Sequence, residues 1–326
     1  MNKTLSLALV LVSVLLMFVS LTLGPSQIDL STTFRALTGG VVKSNQHYII
    51  FQLRLSRILS SFLSGAILGS CGMVFQAALR NPMADPFILG ISSGASFGVA
   101  VALFIGLTPL LGFPLSALIG ALLTTIFIMS VAVKKRSSNT TLLLTGVAVN
   151  YILSAGMTLL MFLHREQYQR ILYWTLGSFS TSTYQQVIVI AVVLIILLIS
   201  LRVYHLELDM LLLDEGSARA GGLSVGKVRL GLLILASFAT AICVSYYGVI
   251  GFIGLMAPHV SRLLVGPKHK TLLFPATLFG GFLLLASDTL ARILLPSGEL
   301  PVGIITSLLG VPLFIYLLRR GRYHYG

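Results

Sequence analysis

Gly221-Gly222-Leu223-Ser224-Val225-Gly226-Lys227-Val228 has the spacing GxxxxGK, in which backbone N–H groups and a lysine would cradle the phosphates of a nucleotide. That chemistry also needs Ser or Thr after the lysine to hold magnesium, and a strand leading into the loop. Val228 stands where the hydroxyl belongs, and no strand pattern precedes it. The chain is therefore not expected to hydrolyse ATP itself. A second suggestive pair is Pro258-His259, which interrupts the apolar stretch Gly248–Arg262. An ionisable residue at membrane depth is a functional candidate. The plainer reading is a neutral His259 satisfying carbonyls freed by Pro258, and no second ligand lies near enough in sequence to suggest a metal site. A third set is basic. Arg54 and Arg57 are three residues apart, and Arg292 lies four after Asp288, so each pair shares a helix face. The arginines are either interfacial side chains reaching for water or a basic ring that receives carboxylates of an external partner, since guanidinium binds carboxylate in a bidentate fork. Asp288 is expected to pair with Arg292.

Two segments have the grammar of connectors. In Arg80-Asn81-Pro82-Met83-Ala84-Asp85-Pro86, two prolines stop one helix and start another, with Asp85 as N-cap and Pro86 at the first helical position. The segment is a tight turn, either a bare helix connector or a turn at the mouth of a pore. Met210–Gly226 carries Leu213, Asp214, Glu215, Ala218, Arg219 and Gly222 in short glycine-broken helical pieces with a polar face. Such pieces suit docking on a partner protein or lying on a lipid surface.

The elements that must hold these groups are membrane helices. Of 326 residues, 56% are hydrophobic and only 10% charged, against about 25% charged in a soluble domain. Ten apolar runs are candidate spans: Leu5–Leu23, Ile49–Leu79, Phe87–Gly106, Phe113–Val133, Thr141–Leu163, Tyr184–Leu201, Leu230–Tyr247, the short, Gly/Pro-interrupted Ile250–Val265, Leu272–Leu294 and Val302–Leu318. Leu5–Leu23 is too long for a signal-peptide core and lacks a cleavage site after it, so it is read as a retained first helix. With the N-terminus inside, fifteen of the 22 Lys and Arg fall on the cytoplasmic side. That asymmetry favours an even number of spans with both termini cytoplasmic. The net charge of +13 thus follows membrane topology rather than nucleic-acid binding. Cys71 and Cys243 lie inside apolar runs and read as small buried hydrophobes. Four-residue spacings of small residues, such as Gly65/Gly69 and Gly90/Gly94/Gly98, suit close helix packing in lipid. The expected fold is all-α, a single transmembrane domain over residues 1–326 with about ten helices.

These pieces resemble one family. Gln52–Arg57, the stretch Gly72–Gly94 around Asn81–Pro86, Leu142–Val147, Trp174–Ser180, Ile250–Gly266 and Leu284–Leu317 with Glu299-Leu300-Pro301-Val302-Gly303 stand in the order and spacing of the FecCD-type permease subunits. These serve ATP-binding cassette importers for ferric siderophores, haem and vitamin B12 (cobalamin). The resemblance covers about Ile49 to Arg320. It implies a second permease subunit, identical or related, two cytoplasmic ATPase subunits carrying ATP and magnesium, and an extracytoplasmic substrate-binding protein. No cofactor is expected on this chain. It implies that Arg54, Arg57 and Arg292 dock the binding protein, that Leu213–Gly226 forms the coupling helices in the ATPase cleft, and that Asn81, Pro82 and Met83, with Asn139 and Thr140, form the cytoplasmic gate. It places the chain in a bacterial or archaeal cytoplasmic membrane. Ser56, Asp214 and Gly221 depart from the Pro, Gly and Leu usual in the family. The competing class, an ion-gradient-driven secondary transporter, would place acids deep in several spans; only Asp288 qualifies.

Overall fold

The computed structural model describes residues 3–24, 26, 28–107, 109–134, 139–295 and 298–320. Lys135, Arg136 and Arg322, three of the fifteen cytoplasmic-side cations counted in the sequence, lie outside them. The chain folds into helices α1 (Lys3–Thr22), α2 (Leu30–Leu37), α3 (Ser44–Tyr48), α4 (Ser56–Ala78), α5 (Ile91–Phe104), α6 (Pro109–Lys134), α7 (Asn139–Leu163) and α8 (Tyr168–Thr175). They are followed by α9 (Tyr184–Val203), α10 (His205–Leu211), α11 (Glu215–Ala220), α12 (Val225–Tyr247), α13 (Ile253–Val265), α14 (His269–Ile293) and α15 (Val302–Arg320). Among the described residues, six helical stretches are long and apolar enough to cross a membrane, and four shorter apolar helices, from α1, α5, α13 and α15, join them. These correspond one for one to the apolar runs of the sequence. The fold is an all-helical membrane bundle.

α4 is the axis of the bundle. Its apolar window is 83% buried, against 11% for α7 at the rim. A helix buried all round in lipid must be held by close packing, because lipid tails are as apolar as the helix surface. The chain achieves this with glycines. A Cβ placed on Gly65 would lie 2.3 Å from the Gly280 carbonyl oxygen, and one on Gly280 would lie 2.3 Å from the Gly65 carbonyl oxygen. α4 and α14 therefore touch backbone to backbone. Gly94 and Gly120 do the same for α5 and α6. Buried hydroxyls add cross-ties, including Ser70 Oγ to Thr277 Oγ1 at 2.8 Å and Tyr247 Oη to Ser60 Oγ at 2.9 Å.

α4 is entered through a π-helical turn, Ile49–Leu55. Ser56 helps to set it: its hydroxyl donates to Gln52 O at 2.5 Å and lies 3.2 Å from Ser182 O. The second contact ties the entry of α4 to a neighbouring loop. Pro258 does not break the helix. α13 runs through it, and the Gly254 carbonyl that the missing proline N–H leaves free crowds against Gly72, whose added Cβ would fall 1.6 Å away.

Candidate functional site

Two ends of the α4–α14 pair carry the polar groups. At the first end, Arg57 reaches from α4 to α14. Its Nε lies 3.1 Å from each Asp288 oxygen and its Nη2 2.9 Å from Oδ1. Its Nη1 donates to Glu299 Oε2 at 2.6 Å. Arg292 sits 3.5 Å from Asp288 and donates to Ser20 Oγ and to the Ser20 and Leu23 carbonyls. Arg54 donates to Leu21 O at 2.6 Å and Ser26 O at 2.5 Å. Three arginines meet two carboxylates and the C-terminal carbonyls of α1. All three are under a tenth exposed. These guanidiniums are buried and bonded from within the chain, although Arg292 Nε has only its 3.5 Å contact with Asp288. The physical cause is the cost of an unpaired charge away from water, which draws each arginine onto whatever acceptors the bundle offers. Asp288 does approach Arg292, but its stronger partner is Arg57, on another helix. Being so paired, it does not stand as a free ion site. Glu299 is the exposed member of the cluster, at 29%.

At the opposite end lie the connectors. The α4–α5 turn folds as its residues dictate: Asn81 Oδ1 accepts from Met83 N at 2.9 Å, and Asp85 Oδ1 accepts from Phe87 N at 2.9 Å. Asp85 caps a single 3₁₀ turn with Pro86 at its start, and α5 begins only after Gly90, whose φ is +75°. Met83 is exposed and Pro82 half-buried. Burial pushes the Asp85 carboxyl up to about 6, against the opposing pull of its bond from Phe87. Asn139 and Thr140 open α7; their side chains lie outside the described residues.

The segment after α9 forms two short helices. Asp214 N-caps α11 by accepting from Ser217 N at 2.9 Å, and its bonds to Ser217 hold its carboxyl below the ordinary range. Glu215 bridges Arg219 and Arg229, each at 3.0 Å. Ala218 is buried, Leu213 and Arg219 are exposed, and Gly222 turns the chain at φ +86°. The GxxxxGK spacing is thus a turn leading into the first residues of α12. α10 is fastened on two sides. Asp209 Oδ1 accepts from the α14 backbone N–H of His269 at 2.9 Å and contacts His269 Nδ1 at 2.6 Å. Arg80 Nε donates to Leu211 O at 2.8 Å. Burial works against the charge on Asp209, but the bonds from His269 outweigh it and keep its carboxyl below the ordinary range.

Between the ends, a cavity of about 400 Å³ is lined by Ser92, Ser93 and Ser96 of α5, Asn150 and Ser154 of α7, and Thr175 of α8. Ser93 Oγ donates to Asn150 Oδ1 at 2.5 Å. The wall offers neutral hydroxyls and an amide among the apolar side chains of Phe87, Met157 and Val249. His259 is buried in α13, away from that wall, and among the described residues no group of three or more His, Cys, Asp or Glu is placed to hold a metal ion.

Sequence reasoning did not single out Arg80, Asp209 and His269 as a set, or the serine wall. The three clamp residues belong to separate segments that only the fold brings together. The serines did carry a signal, recurring at three- and four-residue intervals on one face of α5.

Comparison with known proteins agrees with this architecture. The FecCD transport family matches residues 10–320. The chain is 39% identical to a cobalamin import system permease protein of Halobacterium salinarum over 85% of this chain and 75% of that one. It is 34% identical to a hemin transport system permease protein of Yersinia pestis over 99% and 98%. Among solved structures it resembles an inward-facing metal-chelate type ABC transporter, with a TM-score of 0.89 and 31% identity over 98% of this chain and all of that one. A Streptococcus pneumoniae structure, PsaBC, shares the fold with a TM-score of 0.56 at 18% identity over 82% of this chain and 94% of that one. The chain belongs to the FecCD transport family and is a transmembrane permease subunit of an ATP-binding cassette importer.

Proposed function

We propose that this permease imports a metal chelate of the ferric siderophore, haem or cobalamin class, by alternating access between outward-open and inward-open states. The observation that carries the reading is the uncharged cavity between α5 and α7, where hydroxyls and the Asn150 amide stand among the apolar side chains of Phe87, Met157 and Val249, inside a bundle superposable on a metal-chelate transporter. A chelate brings its own donors to the metal and needs from its carrier only weak hydrogen bonds to its rim, which serines and Asn150 provide. The subunit works beside a second permease, identical or related. Two cytoplasmic ATPases bind ATP and magnesium, and an extracytoplasmic binding protein delivers the substrate. The α10–α11 end faces the cytoplasm, which places both termini inside, in keeping with the basic bias of that side. Leu213, Asp214, Glu215, Ala218, Arg219 and Gly222 meet the ATPase. Asn81, Pro82 and Met83, with Asn139 and Thr140, gate the inner mouth. Arg54, Arg57 and Arg292 mark the docking face. Because they are internally bonded, docking proceeds by exchange: a carboxylate of the binding protein takes the Arg57 position held by the exposed Glu299.

The test is uptake by proteoliposomes holding the permease, its ATPase and its binding protein. Ferric siderophore, haem, cobalamin and hydrated ferric ion are supplied separately. Accumulation of one chelate without accumulation of the bare ion supports the reading; transport of the bare ion alone overturns it.

A further inference from the structure

The cytoplasmic clamp on α10 has a role beyond fastening a loop. α4 ends in a left-handed residue, where N–H groups of the next residues close back on the last turn: Arg80 N to Ala77 O at 3.2 Å and Asn81 N to Gln76 O at 3.1 Å. Glycine is the residue such a position favours. Here it is Arg80, with φ +49°. The strained backbone is kept with a long side chain whose Nε bonds the last carbonyls of α10, at Leu211. On the other side, Asp209 of α10 caps α14 from outside, accepting from both the backbone and the ring of the fully buried His269. Leu208 and Leu211, on the same short helix, are themselves buried. α10 is thereby bolted to the exit of α4 and the entrance of α14, and those two helices pack backbone to backbone through Gly65 and Gly280. α10 leads within three residues into the Asp214-capped α11.

We propose that Arg80, Asp209 and His269 are positioning residues for transport: they carry displacement of α10–α11 simultaneously to the Asn81–Met83 turn and to the α4–α14 pair. The proposal rests on the reading of the Leu213–Gly222 segment as the ATPase contact. Attachment to both helices of the glycine-locked pair lets a push on α10 move the pair without pivoting about a single point of contact. The two sets of bonds supply those attachments. Loss of either lets α11 follow the ATPase while the bundle lags.

The experiment uses the assembled importer in proteoliposomes and reads ATP hydrolysis and chelate uptake together. Arg80→Gly relaxes the backbone while removing the bond to Leu211, so it separates the side chain's role from folding. Asp209→Ala removes both bonds to His269, and Asp209→Asn restores an acceptor. The expected result is that R80G and D209A keep hydrolysis but lower uptake per ATP by roughly two- to thirty-fold, the span of typical coupling energies, while D209N restores most of the ratio. An unchanged ratio, or parallel loss of uptake and hydrolysis in both variants, overturns the proposal. Arg219→Glu with an ATPase pull-down tests the contact reading separately. If the ATPase still binds at full strength, that reading fails, and the ratio in the clamp variants still decides the clamp.

Discussion

Arg57 and Asp288 grip each other across the α4–α14 contact, with three N···O distances of 2.9 to 3.1 Å and the carboxylate wholly removed from solvent. Removing one partner of such a pair strands a buried charge, at a cost of about 3–5 kcal/mol. Asp288→Ala is expected to lower the melting temperature in detergent by many degrees and to reduce the folded yield. Arg57→Met combined with Asp288→Leu should recover part of the loss, because the Arg57 charge leaves with its partner while Arg292 still lacks its carboxylate. A melt of D288A within a degree of the parent would contradict the account of this pair.

Packing makes a paired prediction. Gly65→Ala drives a methyl group to 2.3 Å from the Gly280 carbonyl oxygen and should cost about 1–3 kcal/mol by overpacking. Gly231→Ala, in α12 with nothing within 4 Å of the added Cβ, should be neutral or stabilise by up to about 1 kcal/mol through helix propensity. Thermal unfolding of the two variants side by side reads the difference.

Asp85 gives a pH dependence with a definite sign. Burial raises its carboxyl to about 6 in the folded protein, above the unfolded value of about 3.9. Between those values the folded state binds the extra proton, so the contribution of this group to stability falls as pH rises from about 4 to about 6, and is level above that. Asp85→Asn keeps an acceptor for Phe87 N and cannot titrate. It should equal or exceed the parent's stability at pH 8, and the gap should close near pH 4. A gap that widens toward acid would refute the assignment.

Glu299 occupies Arg57 from the solvent side. If docking proceeds by exchange, Glu299→Gln should tighten binding-protein affinity by roughly two- to fivefold, the worth of a partly exposed ion pair, with the gain shrinking as salt rises. Arg57→Ala should weaken it. Affinities measured on permease in nanodiscs decide this; weaker binding by E299Q would argue that Glu299 itself meets the partner.

Much of this molecule was legible before its fold. The apolar runs became apolar helices, six of membrane-crossing length and four shorter among the described residues, because the backbone of an apolar stretch in lipid must satisfy itself within the helix. The Asp85-Pro86 cap formed as read, since its bonds are local. What stayed hidden depends on long-range pairing. Asp288 does pair with Arg292 four residues away, as the spacing suggests, but its nearer partner is Arg57, 231 positions earlier in the chain. The internal partners of Arg54, Arg57 and Arg292 were not legible, because sequence places charges at helix ends without saying which neighbours cover them. Pro258 looked like an interruption, whereas Gly72 and Gly254 let a neighbouring helix close over the gap it leaves.

The central claim is that this permease moves its chelate only when an ATPase drives α10–α11. The most direct measurement loads proteoliposomes of the complete importer with ATP and magnesium, or with a non-hydrolysable analogue under an imposed proton or sodium gradient, and follows labelled chelate. Uptake with ATP and none with the gradient is the predicted result. Uptake driven by the gradient while ATP hydrolysis is blocked would contradict the account.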